Sequence, residues 1–457
     1  MLHTLRARIT SALSRSLAAA AFTLLLGIVV VASAEANGPV AHAAAGSNAV
    51  ARSAVCPSTG SVARHRRSLL RHLRTIARLR QRHMTRSTVR RIASQRRQAA
   101  RDRRVIRAGR SSACAVARGS RSTRPAGGPL RIGVSAQTFG WGNDAGKEQD
   151  VAVQTGARWL REEFQWNRIE PSAGNFDWAQ ADTTVGEAAK RGLSVLPTLM
   201  DTPSWNGASI TTVPSDPSAY ADFVAHVAAR YGPTGDFWGM HPELPRTPIE
   251  YYELWNEPYL QNFSAGGADP AKYARLVKAA TAAGRAASPQ AKFLVQADLT
   301  WTNDFNSYHE WIDAMYAAVP DLNNYFDAVA IHPYGSSPDE YTPNGDTRWE
   351  VRRLEQIRAK FVGHGAADKH LWITELGWST APGCRGCQSD SQQAAYLTRL
   401  ATMLRTDYSS YVDAFFLYGW RDEGGDPSNK ENWFGIIRRD GSKKPAWDAL
   451  RSITGVA

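Results

Sequence analysis

The first 128 residues of this 457-residue chain contain no Lys, no Trp and only two acids, Glu35 and Asp102, against 25 Arg, a balance of +23. Such a stretch, with Phe22 as its one aromatic residue, lacks the large rings that an ordinary core uses. The other 329 residues hold all 15 Trp, 30 Lys+Arg and 40 Asp+Glu, and so sum to −10. The whole-chain charge of +13 is therefore a cancellation, which excludes one uniformly basic, nucleic-acid-binding domain. Cysteine is scarce, with four residues. A lone C-x-x-C at Cys384 and Cys387 lacks the second pair that a zinc site requires, and nothing around it reads as a thioredoxin-like unit, so structural bridges are expected. No metal or other cofactor is expected.

What is present falls into four parts. Arg6, Arg8 and Arg15 precede an uncharged run from Leu17 to Val31 and an A-x-A site at Ala32-Ser33-Ala34, so residues 1–34 read as a signal peptide. An uncleaved signal-anchor is the alternative, but the run is shorter than the ~20 residues of a membrane span. Either reading puts the folded part outside the membrane, secreted, where disulfides form. In the Arg-rich region 35–118, Leu69, Leu70, Leu73, Ile76 and Leu79, then Val89, Ile92, Val105 and Ile106, recur at helical spacing. A helical hairpin closed by Cys56–Cys114 is expected. Outside a cell, residues 56–114 would meet anionic envelope polymers or a membrane surface rather than nucleic acid; a solvated spacer is the plainer reading. Residues 119–129 are a linker by composition.

From Leu130 onward short apolar runs alternate with longer amphipathic stretches. Strands are expected at 130–136, 157–163, 193–199, 249–255, 292–297, 326–331, 370–374 and 412–418. Helices are expected at 145–155, 177–190, 217–231, 270–287, 305–319, 347–362, 389–407 and 444–453. Eight such units predict an α/β fold, a (β/α)8 TIM barrel over 130–457. A doubly wound sheet would more often carry a glycine-rich phosphate turn after strand 1, and Gln137-Thr138-Phe139-Gly140-Trp141 stands there instead. Chemistry in such barrels gathers at the C-terminal strand ends. Those ends offer carboxylates, amides, a Tyr, a His, an Arg and many Trp, with no Cys nucleophile, P-loop lysine or tight His cluster.

Paired carboxylates with indoles suit glycoside hydrolysis: one acid protonates the leaving oxygen, the other attacks the anomeric carbon, and Trp faces stack on sugar rings. Glu257 after strand 4 and Glu375 after strand 7 are the best pair. Trp255-Asn256-Glu257-Pro258 and Thr374-Glu375 resemble the signature of glycoside hydrolase clan A, retaining (β/α)8 enzymes. Arg161, the stretch from Trp166 through Glu170-Pro171 to Gly174, His332-Pro333-Tyr334 and Trp420 add to the likeness. Family 39 is the nearest resemblance, with family 5 next; family 5 often has His after strand 3, where this chain has Asp201-Thr202-Pro203. The resemblance covers 130–457. It implies Glu257 as acid/base, Glu375 as nucleophile, Arg161 and Tyr334 as supports of its charge, and Asn256 as donor to the sugar 2-hydroxyl. It also implies His332 as orienter of the acid and Trp420 as floor of the subsite. Trp205, Trp301, Trp378 and Trp433 are stacking candidates that packing would explain equally, Arg161 could instead pair with Glu162 or Glu163, and Glu170 reads as structural. Asp201 and Asp422 have no assigned role. The expected function is a glycosidase on a carbohydrate substrate; a transglycosylase, or an inactive glycan-binding protein on the same fold, are the alternatives.

Overall fold

The computed structural model describes residues 129–136, 144–301, 309–340 and 350–456, with scattered helical positions between 68 and 101. The chain divides into two compact units, Met1–Ser122 and Thr123–Ala457. In the first, Ser68, Arg71, His72 and Thr75 are helical, as are Ala93, Ser94, Gln95, Arg97, Gln98 and Arg101. His72 Nδ1 lies 2.6 Å from Gln95 Oε1. The expected signal peptide 1–34, the Cys56–Cys114 bridge and most of the 35–118 and 119–129 segments lie outside the described residues.

The second unit is a closed barrel of eight parallel strands. The strands are β1 (Arg131–Ser135), β2 (Trp159–Gln165), β3 (Ser194–Met200), β4 (Tyr251–Leu254), β5 (Lys292–Gln296), β6 (Ala328–Ile331), β7 (His370–Leu376) and β8 (Val412–Tyr418). Each pairs with its neighbours in chain order, and β1 closes on β8 with Arg131 opposite Ala414 through Ser135 opposite Tyr418. The helices that follow are α1 (Ala145–Gln154), α2 (Ala179–Lys190), α3 (Ser218–Tyr231), α4 (Pro270–Ala287), α5 (Trp311–Ala318), α6 (Leu354–Gly363), α7 (Asp390–Thr406) and α8 (Pro445–Thr454).

Sequence signals set their ends. Asp144 and Asp269 accept from the first amides of α1 and α4. Ser389 and Gln392 form a reciprocal capping box on α7. Pro445 opens α8 and Gly455, at φ +78°, closes it. Two expected helices are shorter than read: 305–319 contracts to α5, behind the two-stranded pair Thr300–Trp301 and His309–Glu310. In place of 347–362, a 3-10 turn at Val351–Arg353 leads into α6.

Side chains alternate across each strand, so every second residue faces the barrel interior. There Leu196, Leu294, Ala328, Ala330, Trp372, Ala414 and Phe416 form an apolar cluster against Trp159 and Tyr251. The Arg131 guanidinium lies 5.9, 5.7 and 5.2 Å from the ring centres of Trp159, Tyr251 and Trp372, a cation–π contact at the N-terminal end. The opposite strand faces pack outward against the helices in one large core. One step further along the strands, the inward residues turn polar: Arg161, Thr198, Glu253, Gln296 and Thr374, all buried. That change of chemistry within one alternating pattern marks the C-terminal end of the barrel strands.

Candidate active site

Three residues other than glycine have positive φ among those described: Asp201 at 71°, Trp255 at 69° and Glu257 at 40°. All lie just past the C-terminal ends of β3 and β4. Non-glycine residues avoid this region because Cβ crowds the backbone, and where it persists the surroundings over-determine it. β4 consequently ends at Leu254, and the turn that follows carries Asn256 and Glu257.

Arg161 on β2 organises the floor. Its Nη1 donates to Glu375 Oε1 at 2.7 Å, its Nη2 to Asn256 Oδ1 at 2.9 Å and its Nε to Glu253 Oε2 at 2.5 Å. Burial opposes its charge, but Glu253 and Glu375 outweigh that and raise its pKa further, so it stays a cation. Tyr334 donates its hydroxyl to Glu375 Oε2 at 3.0 Å. Burial, then the charge of Glu375, pushes the phenol well above its ordinary range, so it keeps the proton it donates. Tyr418 and Phe434 hold the Tyr334 ring by edge contacts, centres 6.0 and 6.1 Å away.

His332 connects the two carboxylates. Its Nδ1 is 3.0 Å from Glu257 Oε1 and 3.6 Å from Glu375 Oε2. Burial alone would lower the imidazole pKa; the charges of Glu375 and Glu257 outweigh it and raise it. The structure thus brings Glu257, Glu375, Arg161, Asn256, His332 and Tyr334 into one cluster. Glu257 and Glu375 each keep about an eighth of their side chain exposed, 13% and 12%, enough for a ligand to reach them.

The tryptophans behave differently. Trp420 is buried, with the Arg421 guanidinium 5.7 Å from its ring centre. Trp378 is buried too, its Nε1 donating to Gly335 O at 3.0 Å and its ring against Tyr396, so its ring is consumed by packing. Trp205 is half-buried, edge-on to Trp166, with Nε1 on Glu170 O. Trp433 is half-buried, with Nε1 on Asp426 O at 2.8 Å. The Trp301 side chain lies outside the described residues. Glu170 is structural as expected: it accepts from Trp166 Nε1 at 2.7 Å and from the Gly174 amide at 2.8 Å. Those bonds account for the spacing from Trp166 through Glu170-Pro171 to Gly174.

Asp201 accepts from Gln165 Nε2 at 2.9 Å, and Asp422 is buried against Lys444 Nζ at 2.7 Å. Lys444 also donates to Thr380 Oγ1, and Ser379 Oγ to Lys430 O, so the loops after β7 and β8 form one wall. A disulfide joins Cys384 to Cys387 in that wall.

Sequence reading assigned no role to three parts of this site. Glu253, fully buried on β4, also accepts from Thr198 Oγ1 at 2.9 Å, Thr374 Oγ1 at 2.8 Å and Gln296 Nε2 at 2.5 Å. Asp298 pairs with Arg353 Nη2 at 2.9 Å, and the same nitrogen donates to His332 O at 2.6 Å. Burial raises the Asp298 pKa in spite of Arg353. Tyr259, two residues past Glu257, is fully buried. The available signal for Glu253 was its period: it shares a strand face with Tyr251, which packs against the barrel interior.

A sequence profile of the glycosyl hydrolase catalytic core family matches residues 210–441, just over half of the chain. The chain belongs to this family. Its barrel unit has TIM-barrel architecture. The matched span contains Glu257, His332, Tyr334, Glu375 and Trp420, whereas Arg161 lies before it. No curated protein matches the chain in sequence.

Solved structures share the fold. A family 39 glycoside hydrolase from the gut symbiont Bacteroides cellulosilyticus WH2 is 22% identical with a TM-score of 0.56, over 71% of this chain and 63% of that one. A glucosidase from Croceicoccus marinus is 16% identical with a TM-score of 0.52, over 71% of this chain and 67% of that one. A monomeric beta-xylosidase from Caulobacter crescentus CB15 is 19% identical with a TM-score of 0.52, over 70% and 67%. The chain thus spans less than two thirds of the Bacteroides enzyme's length.

Proposed function

We propose that the protein is a secreted, retaining glycoside hydrolase of clan A that cleaves a β-type glycosidic bond in a poly- or oligosaccharide by double displacement. Glu257 acts as acid/base and Glu375 as nucleophile. One observation carries the reading: both carboxylates lie against the same imidazole nitrogen, at 3.0 and 3.6 Å. Those distances laid end to end bound the gap between the two oxygens near the foot of the inverting range, about 6.5–9.5 Å, and admit the retaining separation of about 5–5.5 Å. The beta-xylosidase among the similar folds supports a β-glycoside as the first substrate to try.

In this mechanism Arg161 and Tyr334 hold both oxygens of an ionised Glu375. One of those oxygens attacks the anomeric carbon as the bond to the leaving oxygen breaks. Glu257 gives its proton to that oxygen while its Oε1 rests on His332. Water, deprotonated by Glu257, then displaces the glycosyl ester, releasing Glu375 as a carboxylate and leaving Glu257 protonated. Asn256 Oδ1 is occupied by Arg161, which turns its NH2 toward the sugar 2-hydroxyl.

The test is a panel of activated aryl glycosides and polysaccharides with product lengths and anomeric configuration analysed. Glu375→Ala is expected to abolish turnover, with azide partly restoring it as the inverted glycosyl azide. Undiminished turnover in that variant sinks the assignment. The basic segment 56–114 is proposed to hold the secreted enzyme at an anionic envelope polymer or membrane surface.

A further inference from the structure

We infer that Glu253 is the positioning residue that ties the two halves of the active site together, orienting Arg161 toward the nucleophile and His332 toward the acid/base. The inference rests on the roles proposed for Glu257 and Glu375. Glu253 touches neither of them in the hydrogen-bond network. It acts through Arg161 on one side and through Gln296 and Thr374 on the other.

On the Arg161 side the argument is geometric. A guanidinium is planar, so its Nε–H bond fixes the plane in which both Nη groups lie. Here Nε is held by Glu253 Oε2, and the two Nη groups meet Glu375 and Asn256. Glu253 therefore decides where Arg161 can place the nucleophile, and which end of the Asn256 amide faces Arg161. With Oδ1 taken, the Asn256 NH2 is the end left for substrate.

The second side is a matter of proton accounting. Glu253 Oε1 accepts from Gln296 Nε2 at 2.5 Å and from Thr374 Oγ1 at 2.8 Å. A carboxylate can only accept, so the NH2 end of Gln296, not its oxygen, must face it. That same NH2 lies 3.0 Å from His332 Nε2, which places a donor against this nitrogen. Neutral His332 then accepts at Nε2 and carries its proton on Nδ1, donated to Glu257 Oε1 at 3.0 Å. Thr374 Oγ1 lies 3.0 Å from the same Nε2, but with its proton committed to Glu253 it makes no hydrogen bond to an unprotonated nitrogen. With Oε1 of Glu257 accepting from His332, the other oxygen is the one that can carry the transferable proton.

Glu253 is ionised in this arrangement. Burial alone would raise its pKa, but the charge of Arg161 and the hydrogen bonds of Arg161 and Thr374 hold it below the ordinary value. The titratable groups around it are Arg161 on β2, His332 after β6, and Tyr220 and Tyr273 from α3 and α4. Both tyrosines are buried phenols, and their hydroxyls donate to Leu199 O and Leu254 O, so they stay neutral.

Glu253→Gln keeps the shape but removes the charge and one acceptor. The expected result is kcat reduced about 10–100-fold with KM little changed. Both limbs of the kcat/KM profile should move to lower pH, by about one unit, because the negative charge behind Arg161 and His332, the two groups that hold the carboxylates, is gone. A merely structural role would scale the profile without moving its limbs. In histidine-labelled protein, 15N shifts should report the Nδ1–H tautomer of His332 in the wild type and its loss in the variant. If Glu253→Gln does not fold, Gln296→Met and Thr374→Val test the His332 side alone, with the alkaline limb moving and the acidic limb unchanged. Unmoved limbs in the variants that fold, or an unchanged His332 tautomer, overturn the inference. Wild-type enzyme inactive on every glycoside would instead overturn the proposed function.

Discussion

Tyr334 and Arg161 hold Glu375 jointly, each on a different carboxylate oxygen. A hydrogen bond to a charged group contributes about 1.5–3 kcal/mol, which corresponds to roughly 10–100-fold in rate if it is made chiefly to the reacting carboxylate. Tyr334→Phe is therefore expected to lower kcat by that factor with little change in the melting temperature. A wild-type kcat in this variant would show that the phenol only packs. Arg353 presents the opposite case. It closes an ion pair with Asp298 and supports the His332 carbonyl, so Arg353→Met leaves a buried carboxylate unpaired. A loss of about 3–5 kcal/mol in unfolding free energy is expected, and Arg353→Met with Asp298→Asn should recover part of it in urea titrations. Glu257 and Glu375 were legible at this scale because Asn-Glu and Thr-Glu interrupt apolar runs at strand ends. Glu253 was not. An acid inside a strand reads equally well as a solvent-facing position, and only closure of the sheet sends alternate residues into a buried interior.

At the level of elements, the strands were legible because parallel strands covered on both faces are continuous apolar runs; β6 and β7 are buried at every position. Helix α5 was read too long, because periodicity alone does not register a short antiparallel pair in front of it. Gly133 on β1 shows how tightly the barrel is filled. A Cβ built there would lie 2.5 Å from the Phe416 ring and 2.8 Å from the Trp159 carbonyl, closer than atoms pack. Gly133→Ala should cost about 1–3 kcal/mol through overpacking, read as a lowered urea midpoint with an unchanged slope. An unchanged midpoint would mean that Phe416 yields without strain.

For the whole molecule, charge is divided by unit. The acidic barrel unit closes part of its wall with Lys444–Asp422, a pair whose side chains are 1% and 2% exposed. Burial pushes the Lys444 pKa down and the Asp422 pKa up, against their mutual attraction. Lys444→Met should destabilise by about 3–5 kcal/mol, while the apolar double replacement with Asp422→Leu should restore much of the loss; equal losses in both would refute an electrostatic origin. For the basic unit the proposed tether makes a separate prediction. Deleting 56–114 should leave hydrolysis of small soluble glycosides unchanged and reduce retention on cells or acidic polymers, most strongly at low salt. Retention equal to that of the full chain would end the tether proposal.

Residue order alone determined the split of charge, the eight strand–helix units and the two carboxylates at the ends of the fourth and seventh strands. These are local properties: composition, period and the chemistry of a strand end. Tertiary structure alone decided which groups share the site, because Arg161, Glu253, His332 and Glu375 come from separate strands and meet only when the barrel closes. It also decided which indoles were consumed by packing, since burial depends on what lies above a ring and not on the residues beside it in the chain.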